Sequence, residues 1–194
     1  MISKGLVQVY TGDSKGKTTA AIGQIIRAMG HGNRACMIQF MKGSSYYGEL
    51  NTLTKLEPQV ELYQYGRICS HNSLIKQGES DCLACGKCFV IKGKATDFDR
   101  QYSALAVERS RSILTTGQHS IVVLDEILNA VLFELIGEEQ VLELMSRRPN
   151  HVELILTGRN ATAAIVEQAQ LVTEMKSIKH PYDLGIAARR GIEY

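Results

Sequence analysis

Length, composition and charge exclude several classes of protein at the outset. The chain has 194 residues, of which 44% are hydrophobic and 22% are charged, and its formal net charge is +2. This composition is typical of a soluble globular domain, and the length suits one α/β domain with its own core. The small charge argues against nucleic-acid or membrane-surface binding, and no apolar run approaches the roughly 20 residues that cross a bilayer. Without the apolar segment of a signal peptide, a cytoplasmic location is expected.

Strand-like and helical patterns alternate along the chain. Strands are predicted at residues 6–10, 35–40, 60–63, 121–124, 152–156 and 171–175, and helices at 17–29, 97–114, 138–147 and 161–169. The side chains expected near one face of the second helix are Phe98, Tyr102, Leu105 and Ile113. The alternation predicts an α/β fold with a mostly parallel central sheet and helices on both faces. We expect one domain over residues 1–194, with a Cys-rich insert at about 66–95 that breaks the alternation.

A glycine-rich turn between the first strand and the first helix is a candidate phosphate-binding loop. Its residues are Gly12, Asp13, Ser14, Lys15, Gly16, Lys17, Thr18 and Thr19. The glycines let backbone N–H groups face an anion, and the helix N-terminus adds the positive end of its dipole. Lys17 would reach phosphate oxygens, and the Thr18 hydroxyl would coordinate Mg²⁺. The spacing departs from the general motif, because only three residues separate the two glycines.

Two carboxylates, Asp125 and Glu126, end the apolar strand at 121–124. In phosphate-loop proteins a carboxylate at this place faces the Mg²⁺ that the loop Thr holds. The sequence does not choose between the two as the direct ligand. Either could also act as a base, which leaves a kinase possible. The candidate catalytic residues are Lys17, Thr18 and Glu126.

Cysteines are concentrated in the predicted insert. Cys82, Cys85 and Cys88 form a C-x₂-C-x₂-C pattern, and Cys69 lies thirteen positions before the first of them. In a reducing compartment this spacing favours a metal over disulfides. Tetrahedral Zn²⁺ and a 4Fe–4S cluster both fit the pattern, and three free thiols are the remaining alternative. Cys36, in the middle of a strand, is expected to be a core thiol.

The chain resembles the ATP:corrinoid adenosyltransferases of the phosphate-loop type. The resemblance rests on co-linear motifs at residues 12–21, 40–43, 122–126, 148–149, 156–161, 171–175, 179–186 and 190–194. It covers residues 5–65 and 97–194, which is nearly everything except the insert. Two features depart from the family: many relatives have an N-terminal arm, and many carry a Phe/Trp-containing stretch after the third strand. Here residues 65–71 and the insert stand in place of that stretch.

The resemblance implies a reaction, its substrates and its partners. It implies transfer of the 5′-deoxyadenosyl group of ATP to the reduced cobalt of a corrinoid, with release of triphosphate, in adenosylcobalamin synthesis or salvage. ATP, Mg²⁺ and the corrinoid are the implied ligands. A homodimer and an electron donor such as a flavoprotein are the implied partners. The cobalt is the nucleophile, so the protein needs no nucleophilic side chain of its own.

Two alternatives remain open at this point. The first is a phosphate-loop nucleoside kinase with a metal-bound lobe, which would form ADP instead of triphosphate. The second is a binding protein or chaperone that responds to a nucleotide or corrinoid, which would not turn over repeatedly.

Overall fold

The computed structural model describes residues 2–83 and 85–194, and a parallel sheet forms its centre. The described strands are β1 (Val7–Thr11), β2 (Ala35–Phe40), β3 (Val60–Tyr65), β4 (Ile121–Asp125), β5 (Glu153–Thr157) and β6 (Leu171–Glu174). These six strands lie in the order β3-β2-β4-β5-β1-β6. Every pairing between neighbours is parallel. The predicted α/β architecture is therefore confirmed.

Helices and short turns connect the strands. The described helices are α1 (Lys17–Met29), α2 (Gly48–Leu53), α3 (Asn72–Gln77), α4 (Asp97–Thr116), α5 (Ile127–Leu132), α6 (Glu138–Arg147) and α7 (Ala163–Gln168). Two 3₁₀ turns lie at Thr54–Leu56 and Pro181–Leu184. In the part of the chain that the structure describes, no helix is long and apolar enough to cross a membrane.

Both faces of the sheet are covered by apolar layers. On one face, Ile25 of α1 packs in a cluster with Met37 of β2. On the other, Leu124 of β4 lies in a larger cluster with Val107 of α4 and Leu144 of α6. The central strands β2, β4 and β5 are buried along their whole length, which explains their largely apolar sequences. Because apolar layers cover both faces of the sheet, a polar site is expected at the ends of the strands.

The structure corrects the predicted buried face of α4. Phe98 and Leu105 are 43% and 52% exposed. Phe98 instead stacks on Tyr102, with ring centroids 4.2 Å apart. The buried residues of the helix are Asp99, Ser103, Ala106, Val107, Ser110, Ile113 and Leu114. Three of these, Ser103, Ala106 and Ser110, are small, which lets the helix pack closely against its neighbours.

The segment of residues 66–95 connects β3 to α4 and is called the cysteine segment below. It contains the short helix α3. A third apolar cluster fixes it to the rest of the protein, through buried Cys69, Ile75 and Cys88 packed with Tyr46 and Tyr194. That this segment is an insert in a single domain stays a prediction.

Candidate functional site

The glycine-rich loop lies between β1 and α1 at the carboxyl end of the sheet. Gly12 and Gly16 have φ values of 105° and 111°, a left-handed region that favours glycine. A Cβ on Gly12 would lie 2.4 Å from the Met175 carbonyl oxygen, so a side chain is also excluded by space. Ser14 donates its N–H to the same carbonyl, at 3.1 Å. The loop is thereby fixed against the chain that follows β6.

Lys17 is the first residue of α1, and its ammonium folds back over the loop. Nζ donates to the carbonyl oxygens of Gly12 at 2.8 Å and Ser14 at 2.7 Å. Burial lowers the pKa of Lys17, and nearby Glu126 partly opposes that effect. The ammonium thus lies at the loop that the sequence predicts to bind phosphate. In this structure it contacts carbonyl oxygens of the loop itself.

Asp125, the last residue of β4, is fully buried beside the loop. Its Oδ1 accepts from the hydroxyls of Thr18 at 2.8 Å and Thr157 at 2.7 Å. Its Oδ2 accepts from the Lys42 ammonium at 2.8 Å. Burial alone would raise the pKa of Asp125, but the charge of Lys42 and these hydrogen bonds outweigh it and lower the pKa. The Thr18 hydroxyl and the Asp125 carboxylate form the hard oxygen pair that Mg²⁺ prefers.

Glu126 differs from Asp125 in its backbone conformation and in the direction of its pKa shift. Its backbone has a φ of 63°, and its N–H donates to the Thr157 hydroxyl at 2.9 Å. Burial and the adjacent Asp125 raise the pKa of Glu126. Its carboxylate accepts from Asn129, whose own side-chain oxygen accepts from the N–H of Arg159 at 2.6 Å. Glu126 therefore orients the Asn129 side chain, which in turn binds the backbone N–H of Arg159.

One pocket of about 660 Å³ is lined by the loop and by Glu126, whereas the buried Asp125 lies behind this lining. The predicted residues Asp13, Ser14, Lys15, Gly16, Lys17, Thr18, Thr19 and Glu126 all line it. Aromatic side chains, namely Phe40, Tyr47, Phe89, Phe133 and Tyr194, line it as well. A polar site for an anion and an apolar wall therefore meet in one cavity.

Sequence reasoning gave no role to three residues that contact Asp125, namely Gln39, Lys42 and Thr157. Lys42 and Thr157 lie at the carboxyl ends of strands that neighbour β4, in the motifs at 40–43 and 156–161. Their presence in those motifs was the sequence signal for a role in the site, but a motif does not indicate which of its residues contact each other.

The last six residues, 189–194, form a C-terminal strap between the loop and the cysteine segment. Glu193 pairs with Lys15 at 2.6 Å. Arg190 donates to the Ile75 carbonyl oxygen at 3.0 Å, and the Tyr194 hydroxyl donates to Asp81 at 3.2 Å. The strap therefore ties two parts of the molecule that are far apart in sequence.

The four predicted cysteine ligands are only partly brought together. Cys69 and Cys88 are buried in the third apolar cluster and Cys82 packs against it, whereas Cys85 is exposed. Burial raises the pKa of the Cys88 thiol, with further contributions from Cys69 and Cys82. Among residues 2–83 and 85–194, no group of three His, Cys, Asp or Glu side chains is arranged to hold a metal ion. Cys36 is buried in β2, as expected, and its pKa is raised to about 12 by burial.

Comparison with solved structures agrees with this fold. A KaiC-like protein, PH0186 from Pyrococcus horikoshii OT3, superposes with a TM-score of 0.55 over 89% of this chain and 73% of its own. The two sequences are 16% identical, so the likeness concerns the fold alone.

Comparison with protein families and curated relatives identifies the chemistry. The model of the family "ATP:corrinoid adenosyltransferase BtuR/CobO/CobP" matches residues 3–194. A corrinoid adenosyltransferase from Sinorhizobium sp is 33% identical over 98% of this chain and 81% of its own length. Those from Salmonella typhimurium and Escherichia coli K12 are 31% and 30% identical, each over 98% of this chain and 86% of their own. These matches do not favour a nucleoside kinase. The chain belongs to the ATP:corrinoid adenosyltransferases, transferases that carry the adenosyl group of ATP to a corrinoid.

Proposed function

We propose that ATP binds with its triphosphate on residues 12–19 and that the reduced corrinoid docks in the same pocket. The observation that carries this proposal is the shared lining of the cavity. Lys15, Lys17 and Thr18 line it together with Tyr47 and Phe89. The first group suits a polyphosphate, and the second suits a large, partly apolar ring system.

The leaving triphosphate is the part of the reaction that this chain is best equipped to stabilise. Lys17 would exchange the carbonyl oxygens of Gly12 and Ser14 for phosphate oxygens. The free N–H groups at the start of α1 and the helix dipole would add to this. Because cobalt supplies the electron pair, the remaining task of the protein is to hold the ribose carbon in line with it and to exclude water.

We propose Thr18 and Asp125 as the ligands of Mg²⁺, with Glu126 completing the acidic pair. Their fit to the metal is supported by the 2.8 Å contact between the Thr18 hydroxyl and the Asp125 carboxylate. When bound there, Mg²⁺ would neutralise charge on the triphosphate. The short side chain of Asp125 already reaches Thr18, whereas the Glu126 carboxylate is engaged with Asn129. We therefore assign direct ligation to Asp125.

The reaction is tested with ATP, Mg²⁺ and chemically reduced cobalamin. We expect light-sensitive adenosylcobalamin, followed by its visible spectrum, and inorganic triphosphate as the second product. Formation of ADP, or failure to form a cobalt–carbon bond, would contradict the proposal.

We also propose that Cys69, Cys82, Cys85 and Cys88 are ligands of one metal centre, either Zn²⁺ or a 4Fe–4S cluster. Support comes from the proximity of three of these thiols in one cluster. Exposed Cys85 would turn inward to complete the set. Metal binding would deprotonate the thiols and stabilise a segment with few apolar contacts of its own.

Metal analysis of anaerobically purified protein tests this centre. We expect either one zinc or about four irons per chain, the latter with a brown chromophore. Cys85→Ala should lose the metal, while Cys36→Ala is the matched control because Cys36 lies in β2, outside the cluster. Absence of both metals, with Cys85→Ala behaving like the wild type, would mean that the cysteines are ordinary thiols.

We propose further that the protein acts in the cytoplasm as a homodimer and receives electrons from a donor such as a flavoprotein. A dimer is supported by exposed apolar side chains at the edge strand: Leu171 and Val172 of β6 and Ile178 beyond it are exposed. Analytical ultracentrifugation at micromolar concentration tests the dimer, and a monomer would contradict it.

A further inference from the structure

Both oxygens of the buried Asp125 carboxylate are fully engaged. Besides the two hydroxyls on Oδ1, Oδ2 accepts from Lys42 at 2.8 Å and from the Gln39 amide at 3.2 Å. Among the described residues, Lys42 is the one cation in contact with this carboxylate. A divalent cation bound by Thr18 and Asp125 would share this carboxylate with the Lys42 ammonium, and the two positive charges would repel each other.

The backbone around Lys42 is fixed, so the side chain is the part that can move. Met41 has a φ of 60° and turns the chain at the end of β2. A Cβ on Gly43 would lie 2.2 Å from the Gly66 carbonyl oxygen, because two backbones pack directly on each other there. The Lys42 side chain is 18% exposed and lines the pocket, with Nζ 5.7 Å from the centre of the Tyr47 ring. The ammonium can therefore swing into the cavity without a backbone change.

The three lysines that line the pocket are all bound to oxygens of the protein itself. Lys15 contacts Glu193, Lys17 contacts two loop carbonyls, and Lys42 contacts Asp125. Phosphate oxygens would replace any of these partners. Lys42 differs from the other two because its present partner is the carboxylate assigned to the metal.

We infer that Lys42 occupies the cation position at Asp125 until the divalent metal binds, and that its ammonium then passes to the triphosphate. This inference rests on the Mg²⁺ site of the proposed function. The charge balance supports the exchange, since a buried carboxylate needs a cation and two cations on one carboxylate repel each other. The triphosphate gives the displaced ammonium a new anionic partner in the same cavity. Lys42 would thus couple metal binding to triphosphate binding and act as a third lysine on the leaving group.

Binding measurements without turnover test the exchange. Nucleotide-free protein is titrated with Mn²⁺ and followed by electron paramagnetic resonance, and inorganic triphosphate is titrated in Mg²⁺ by calorimetry. Lys42→Gln removes the charge but keeps a donor for Asp125, and Lys42→Met is a second variant if the first fails to fold. We expect the Lys42 variant to bind Mn²⁺ about tenfold more tightly and triphosphate about tenfold more weakly than the wild type.

Two control variants distinguish a wrong metal site from a wrong role of Lys42. Lys15→Met should weaken triphosphate binding and leave the Mn²⁺ affinity unchanged, because Lys15 pairs with Glu193 instead of Asp125. Asp125→Asn should abolish Mn²⁺ binding. If Asp125→Asn binds Mn²⁺ like the wild type, the metal site of the proposed function is wrong. If Asp125→Asn loses Mn²⁺ while the Lys42 variant keeps wild-type affinity for Mn²⁺ or for triphosphate, the role of Lys42 is wrong and the metal site stands.

Discussion

Lys17 combines a buried position with contacts that a ligand can replace. Its ammonium is held by two carbonyl oxygens of the loop, which are neutral acceptors. Phosphate oxygens carry negative charge and would bind the ammonium more strongly. Because the aliphatic part of Lys17 packs at the start of α1, the charge is poised at the site before the nucleotide arrives.

We predict that Lys17→Ala lowers the turnover number by a factor on the order of 10²–10³, the usual loss on removing one preorganised partner of a developing charge. The melting temperature should change little, since the lost contacts are two hydrogen bonds to a surface loop. Lys15→Ala is the matched control and should have a smaller effect, because Lys15 is more exposed. Turnover by Lys17→Ala equal to that of the wild type at saturating ATP would contradict this role.

At the residue scale, sequence predicted the loop and the acidic pair but not the contacts between them. Thr18 and Asp125 are 107 positions apart, and their 2.8 Å hydrogen bond depends on the place of β4 in the sheet. The choice of Asp125 over Glu126 also depends on structure. The positive φ of Glu126 turns its side chain toward Asn129. No pattern in the sequence encodes that turn.

At the scale of elements, the long helices, the buried strands and the short helix α7 were predicted from the sequence, whereas the helices α2, α3 and α5 were not. The bounds predicted for α1, α6 and β2 agree with the structure. The helices α2, α3 and α5 have six residues each, which is fewer than two turns. A helical period is hard to recognise over so few residues, and α5 follows β4 after a single residue, Glu126. On α4, the exposed apolar residues Phe98 and Leu105 led to a wrong assignment of the buried face.

One ion pair fixes the start of the cysteine segment to α4. The Arg67 guanidinium donates to both carboxylate oxygens of Asp99, at 2.7 Å and 2.5 Å. Thr96 donates to the same carboxylate through its N–H and its hydroxyl, each at 2.8 Å. Burial would raise the pKa of Asp99, but the hydrogen bonds from Arg67 and Thr96 outweigh it and lower the pKa. The stabilisation is therefore present above the unfolded-state pKa and is lost as the pH falls through the lower folded-state pKa.

We predict that Asp99→Asn lowers the free energy of unfolding by about 1.5–3 kcal/mol at neutral pH, the range for hydrogen bonds to a charged group. The difference from the wild type should shrink below about pH 4, where the carboxyl of the unfolded chain is protonated. Urea denaturation at several pH values measures this. Asp97→Asn is the control, since the Asp97 side chain is almost fully exposed. Its carboxylate lies 4.0 Å from the Arg100 guanidinium, which is too long for a hydrogen bond. A deficit for Asp99→Asn that does not change with pH would contradict the assignment.

At the scale of the whole molecule, the site is assembled where neighbouring strands end. Gly12 follows β1, Lys42 follows β2, Asp125 ends β4 and Thr157 ends β5. These strands are adjacent in the order β2-β4-β5-β1, so four distant parts of the chain meet at one edge. Ligand sites outside the carboxyl ends of parallel strands are the general rule for such sheets. The alternation of strands and helices predicted a parallel sheet, but the strand order depends on crossovers that local sequence does not specify.

The C-terminal strap packs against the buried cysteines through Tyr194. Tyr194 is 8% exposed, and its ring meets that of Tyr46 edge-on with centroids 5.6 Å apart. The Tyr46 hydroxyl in turn lies 4.0 Å from the Cys88 sulfur. Loss of the Tyr194 ring would leave a cavity beside Cys69 and Cys88 and lower the cost of opening that cluster.

We therefore predict that Tyr194→Ala exposes thiols that are protected in the wild type. In chelator-treated protein, exposed Cys85 should react first with a thiol reagent in both forms. Tyr194→Ala should raise the reaction rates of Cys69 and Cys88 by about tenfold, equivalent to a loss of about 1.4 kcal/mol in local opening free energy. Mass spectrometry of the labelled peptides separates the sites. Tyr182→Ala is the matched control, because Tyr182 is 80% exposed and its loss should leave all rates unchanged. If the rates of Cys69 and Cys88 are the same in Tyr194→Ala and Tyr182→Ala, the strap does not stabilise the cysteine cluster.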